Sequence, residues 1–96
     1  MVKVPKYTDF MIDGYYLYFT SKCVVEAMHV HASDKRLSEK GSAKFWVKAD
    51  GSSVVQHQGR LSNKTVNKIQ KYIALYYQSM YQMWLKHGGE DFYRGE

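Results

Sequence analysis

The chain has 96 residues, 45% of them hydrophobic and 24% charged, with a single proline, which gives one domain able to bury a modest core and excludes a disordered chain. No apolar run approaches the ~20 residues of a membrane span, and Met1-Val2-Lys3-Val4-Pro5 shows no apolar leader, so a cytoplasmic protein with no membrane association is expected. The one cysteine, Cys23, excludes an internal disulfide.

Residues 1–12 read as a polar lead-in, and Asp13-Gly14 is a turn signal. Tyr15 to Thr20 is rich in aromatics and predicts a first strand. Val24 to His31 predicts a second. Residues 32–42 form a polar loop. Ala43 to Ala49 alternates Lys44, Trp46 and Lys48 with Phe45 and Val47, as a third strand does. Asp50-Gly51 signals a tight hairpin with a type I′ turn, and Ser53 to Gln58 returns as the fourth strand.

Leu61-Ser62 then opens a helix. Ser62 is a suitable N-cap, and Leu61 with Val66 can form a hydrophobic staple. Val66, Ile69, Ile73, Tyr76, Met80 and Met83 recur at steps of three and four, a continuous apolar stripe. The helix is predicted to run to His87, about 36 Å at 1.5 Å per residue, with Gly88-Gly89 as its C-cap. Residues 89–96 read as a flexible tail. Strands grouped before a helix predict an α+β fold: a four-stranded, mainly antiparallel sheet with one long C-terminal helix packed on one face, in a single domain over 1–96.

Net charge is +5, and its placement is uneven. Residues 35–86 hold ten basic side chains against only Glu39 and Asp50, a local balance of +8 that leaves −3 for the two ends. A basic middle favours an anionic partner: RNA, a nucleotide or an acidic protein surface.

His29-Val30-His31 is the most suggestive local feature. Strand pleating puts both imidazoles on one face, where they could bind a ligand or act as a general acid–base pair. A metal site would need a third ligand, for which only Cys23 and His57 offer themselves, so no metal and no cofactor is expected. A two-residue hairpin loop pairs Trp46 with Val55 and Lys44 with His57, which gathers Lys44, Trp46, Lys48, Val55 and His57 on one face; a four-residue loop keeps this grouping and an odd-length loop breaks it. Such a face could hold a phosphate or stack a base, or could be the solvent side of a half-covered sheet. Lys64, Lys68 and Lys71 line one side of the helix, with no Asp or Glu from Asn63 to His87. Cations near a helix N-terminus oppose the macrodipole, which invites an anionic ligand beside Lys64 and Lys68. The long Tyr/Met stripe suggests a homodimer through the helix. No Gly-rich phosphate loop, dinucleotide fingerprint or nucleophile elbow is present.

Tyr18-Phe19-x-Ser21, Glu26-x-x-His29-Val30-His31 and Ala43-Lys44-Phe45-Trp46-Val47 together resemble a family of small bacterial proteins. It is catalogued as domain of unknown function four-one-six-zero. The resemblance runs over roughly residues 10–85. Many members carry two prolines just before the histidines, where this chain has Ala27 and Met28, so the approach reads here as continuous strand. The resemblance implies a gene pair like a toxin–antitoxin arrangement, with a partner protein from a neighbouring gene, and points to His29, His31, Lys44 and Trp46 as the positions of interest.

The leading expectation is a binding domain for an anionic partner in a bacterial toxin–antitoxin or phage-defence setting. His29, His31, Lys44, Trp46, Lys48, His57, Lys64 and Lys68 would be the ligand-binding residues. One alternative is a metal-independent ribonuclease-type toxin with His29 and His31 catalytic. Another is an interaction module that neutralises a partner through its long helix.

Overall fold

The computed structural model describes residues 6–20, 25–34 and 42–94. Its elements are β1 (Tyr16–Tyr18), β2 (His29–Ser33), β3 (Ala43–Val47), β4 (Ser53–His57) and α1 (Asn63–Lys86). The strands form one antiparallel sheet in the order β1-β2-β3-β4. Each strand pairs with its sequence neighbour, which keeps every connection short. The α+β class follows directly.

The core lies between sheet and helix. Leu17, Val30, Ala32, Ala43, Phe45 and Val47 from the strands meet Val66, Ile69, Ile73, Met80 and Trp84 from α1. Of the stripe read from the sequence, Val66, Ile69, Ile73 and Met80 are buried, whereas Tyr76 is 49% exposed and Trp84 completes the buried face of α1. Met83 of that stripe is partly buried against this core within the chain, as are Tyr72, Tyr77 and Tyr81.

Both helix ends match the sequence signals. The Ser62 hydroxyl accepts the Thr65 N–H at 3.2 Å, and Leu61 and Val66 are both buried. At the other end Gly88 N–H donates to the Leu85 carbonyl (2.9 Å) and Gly89 N–H to the Trp84 carbonyl (3.0 Å). This is a Schellman pair, with Gly88 at φ +84°.

Two strand predictions shift. The second strand starts at His29, where its pairing with Trp46 of β3 begins; residues 25–28 of the expected strand lie outside the sheet, and Val24 lies outside the described residues. Before that point the Met28 N–H turns instead to the Asp91 carbonyl (2.9 Å). The hairpin loop also has three residues, not two. Gly51 N–H donates to the Lys48 carbonyl (3.0 Å) and Lys48 N–H to the Ser52 carbonyl (2.9 Å), with Gly51 at φ +88°. A type I turn followed by a left-handed glycine has this pattern. The Asp50 carboxylate favours it by accepting both the N–H and the hydroxyl of Ser52.

An odd loop moves every β4 side chain to the opposite face. Val54 therefore faces Trp46, and Val55 pairs with Phe45 on the core side, correcting the expected placement of Val55. A bulge then occurs opposite the Lys44/Phe45 step and restores Lys44↔His57. The two one-residue shifts cancel, so His57 lies where the even loop would have put it.

The segment after α1, read as a tail, makes defined contacts up to Arg94. Tyr93 N–H donates to the Val47 carbonyl (2.9 Å). Trp84 Nε1 donates to the Glu90 carbonyl (2.6 Å), and Phe92 stacks on Tyr81 with centroids 3.8 Å apart.

Candidate functional site

Strand pleating does bring His29 and His31 to one face. His29 pairs with Trp46 and His31 with Lys44, while Val30 and Ala32 face the core partners Phe45 and Ala43. The two imidazoles meet edge to face with centroids 5.0 Å apart. They are not presented to solvent: His29 is 0% exposed and His31 6%. His29 is held edge-on between Trp46 (5.3 Å) and Trp84 (5.4 Å). Its Nδ1 donates to the Ala27 carbonyl at 2.9 Å, which places the proton on Nδ1 because a carbonyl only accepts. His31 stacks on the buried ring of Tyr18 (5.7 Å), and its Nδ1 meets the Ser42 hydroxyl at 3.1 Å. The carbonyl of the same serine accepts from Nδ1 of the exposed His57 (3.2 Å). Ser42 thus joins two of the four histidines, a role no sequence motif signalled.

Lys44 sits over this layer. Its Nζ is 2.8 Å from a Glu26 carboxylate oxygen and 4.4 Å from the Trp46 ring centre. The hydrogen bond from Lys44 holds the Glu26 carboxyl below its usual range, with smaller help from the charges of Lys44, His29 and His31. Tyr93 stacks on the indole of Trp46, centroids 4.6 Å apart and planes 11° off parallel. Lys44 therefore has its counter-ion and Trp46 its stacking partner within the chain. Glu26 was legible only as part of the family-like motif, and Tyr93 carried no signal at all. Lys48 is half-buried just after β3, near the Asp50 carboxyl, which is held below its usual range chiefly by the hydrogen bonds it accepts from the Ser52 hydroxyl and N–H and only slightly by the Lys48 charge.

Lys64 and Lys68 belong to a different place, the first turns of α1. Lys68 Nζ is 3.0 Å from Asp13, whose other oxygen accepts the Thr65 hydroxyl at 2.9 Å. These hydrogen bonds, from Lys68 first and Thr65 second, hold the Asp13 carboxyl low. The conflict between lysines and the helix N-terminus is thus offset by a carboxylate from the turn before β1. Thr65 is the third residue of α1, so Asp13 stands where an anion best complements the helix dipole. An external phosphate is not needed to explain those lysines.

The outer surface of α1 is the remaining cationic feature. Lys64, Lys71 and Lys86 are exposed and, among the described residues, take part in no ion pair. At about 100° per residue they fall within a sector of roughly 60° along the helix. Leu75, 76% exposed, lies on the same stripe.

The eight expected ligand residues therefore divide into three groups: a buried layer (His29, His31, with Lys44, Trp46 and the outlying His57), Lys48 at the hairpin, and the lysines of α1. Among the described residues no three His, Cys, Asp or Glu side chains cluster as metal ligands, and no helix is long and apolar enough to cross a membrane. Cys23, weighed as a third ligand, lies outside the described residues, as do Lys35, Arg36 and Lys40 of the basic middle. The profile of a family described as Domain of unknown function (DUF4160) matches residues 14–85. No curated protein and no solved structure matches the chain.

Proposed function

The chain belongs to the DUF4160 family, and from that premise we propose that it is a cytoplasmic binding domain for an anionic partner, engaged by the outer face of α1. The observation that carries the reading is the composition of that face. From Asn63 to His87 there is no Asp or Glu, while Lys64, Lys71 and Lys86 stand exposed on one stripe. Unpaired like charges on one helix raise the local potential and attract polyanions. A second copy of the chain would present the same sign of charge, so a partner of opposite sign fits this face better. The buried layer of His29, His31, Lys44 and Trp46 supports the sheet beneath rather than contacting the partner, since Glu26 and Tyr93 already occupy its charged and aromatic groups. A toxin–antitoxin or phage-defence setting, with a neighbouring gene product, is part of the proposal and rests on the family resemblance alone.

The test is binding of the full chain to RNA, DNA, nucleotides and polyglutamate at two salt concentrations. Replacing Lys64, Lys71 and Lys86 together by Ala lowers the net charge from +5 to +2. With a single strand, three lost phosphate contacts reduce the slope of log K against log salt by about 2. Salt-independent binding, or none to any of these anions, defeats the proposal.

A further inference from the structure

We infer that the groove between α1, the β3–β4 turn and the C-terminal segment receives an unpaired base of a single-stranded nucleic acid, an inference that rests on the basic face proposed above and names its partner. The groove has a cavity volume of about 480 Å³, within the range of small-ligand sites. Tyr77, Gln78, Ser79, Tyr81, Gln82 and Phe92 line it, with Ala49 at the turn. None of these side chains is charged. A phosphate or a carboxylate would find no counter-charge inside, whereas a heterocycle would find ring faces to stack on and carboxamides able to both donate and accept along its edge.

The walls are held in place from behind. Gly51 backs the ring of Tyr77 so closely that a Cβ there would lie 2.8 Å from it, so the ring has no room to retreat toward the turn. Tyr81 is fixed by its stack on Phe92 and by its hydroxyl, which donates to Asp91 at 3.0 Å. Gln78 and Gln82 are one turn apart and project side by side. One N–H of the Gln78 carboxamide goes to the Tyr77 hydroxyl (3.3 Å), which orients its other N–H and its oxygen. A site whose rings are already placed loses less entropy when a ligand enters.

The two carboxylates nearest the groove in sequence, Asp50 and Asp91, are each satisfied within the chain, by Ser52 and by Tyr81, Phe92 and Arg94. Lys71 precedes Gln78 by seven residues and Lys86 follows Gln82 by four, about 10 Å and 6 Å along the helix. Lys71 and Lys86 are about 22 Å apart along the helix, so an uncharged, aromatic groove between them suits a strand of several nucleotides whose backbone runs along α1 and turns one base inward.

The experiment compares a mixed-sequence single strand, as RNA and as DNA, with an abasic deoxyribose-phosphate strand of the same length, by fluorescence anisotropy on the full chain. The base-bearing strand is expected to bind about tenfold tighter or more, the size that base–aromatic stacking supplies. The double variant Gln78→Ala/Gln82→Ala, at exposed positions, removes the edge hydrogen bonds but not the rings, and should narrow the preference for the base-bearing strand severalfold with the salt slope unchanged. Lys71→Ala/Lys86→Ala should weaken both strands and flatten both slopes. Equal binding of the two strands by the unaltered chain, or no effect of the glutamine changes, overturns the groove while leaving the basic face intact. Absence of salt-dependent binding by either strand removes the basic face and the groove together.

Discussion

Gly89→Ala is expected to be among the most damaging single-methyl additions this chain can receive. A Cβ at Gly89 would overlap Nε1, Cε2 and Cδ1 of Trp84, well inside the 3.4 Å at which ordinary contacts begin. The indole must therefore move by about an ångström, and it is 0% exposed. Phe19 (5.1 Å) and His29 (5.4 Å) flank it, and its Nε1 donates to the Glu90 carbonyl at 2.6 Å. Overpacking a filled core costs about 1–3 kcal/mol, and a strained or lost hydrogen bond adds about 0.5–1.5 kcal/mol. A loss of about 2–4 kcal/mol lowers Tm by roughly 10–25 °C in a domain of this size. Thermal unfolding followed by circular dichroism measures it. The matched control is Gly88→Ala, one residue earlier, where φ is +84° and nothing lies within 4 Å of the added carbon. Only backbone strain acts there, about 1–2 kcal/mol. A Gly89→Ala protein that melts within 3 °C of the unaltered chain, or above Gly88→Ala, would refute the reasoning.

Asp13→Asn is expected to lower Tm while strengthening polyanion binding, because it removes the carboxylate at the start of α1 and releases Lys68 from its ion pair; for a single strand the salt slope should steepen by about 0.7, and an unchanged slope would count against it. Glu26 titrates below the 4.5 of a free glutamate, so its pair with Lys44 stabilises fully above that pH and the contribution is lost as pH falls through the lowered folded value. The pair is partly exposed and screened, worth less than about 1 kcal/mol. A Tm-against-pH series should thus fall less steeply below pH 4.5 in Glu26→Gln, and parallel curves would show the pair to be inert. His31→Ala should lower stability by about 2–4 kcal/mol through the cavity left beside Tyr18 and Ser42, with polyanion affinity per folded molecule unchanged. Loss of RNA cleavage in that variant, measured in excess chelator, would instead favour a catalytic histidine.

The strand alternation, the apolar stripe and the cap residues of α1 were legible because each is local. Ser62 and Gly88-Gly89 act within one turn, and a 3.6-residue period needs no knowledge of what the stripe packs against. The shared face of His29 and His31 was equally local, since pleat fixes it within three residues. Their burial was not. It depends on Tyr18, Trp46 and Trp84, which come from two other strands and the far end of the helix.

Hairpin register shows the boundary between the two kinds of information. Asp50-Gly51 announced a tight turn, yet its length was set by the Asp50–Ser52 hydrogen bonds and by the turn's seat against Tyr77 of α1. Tyr77 lies 26 residues beyond Gly51 in the chain. The fate of the charges was decided in the same way. Sequence counted lysines, but only the fold brought Glu26 to Lys44 and Asp13 to Lys68, across 18 and 55 residues. Ion pairing falls off within a few ångströms, and chain order carries no such distance. What sequence determined by itself was therefore the α+β plan, the helix and its caps, and the absence of acid on α1. What the tertiary structure decided was which cations are already partnered and which still face outward.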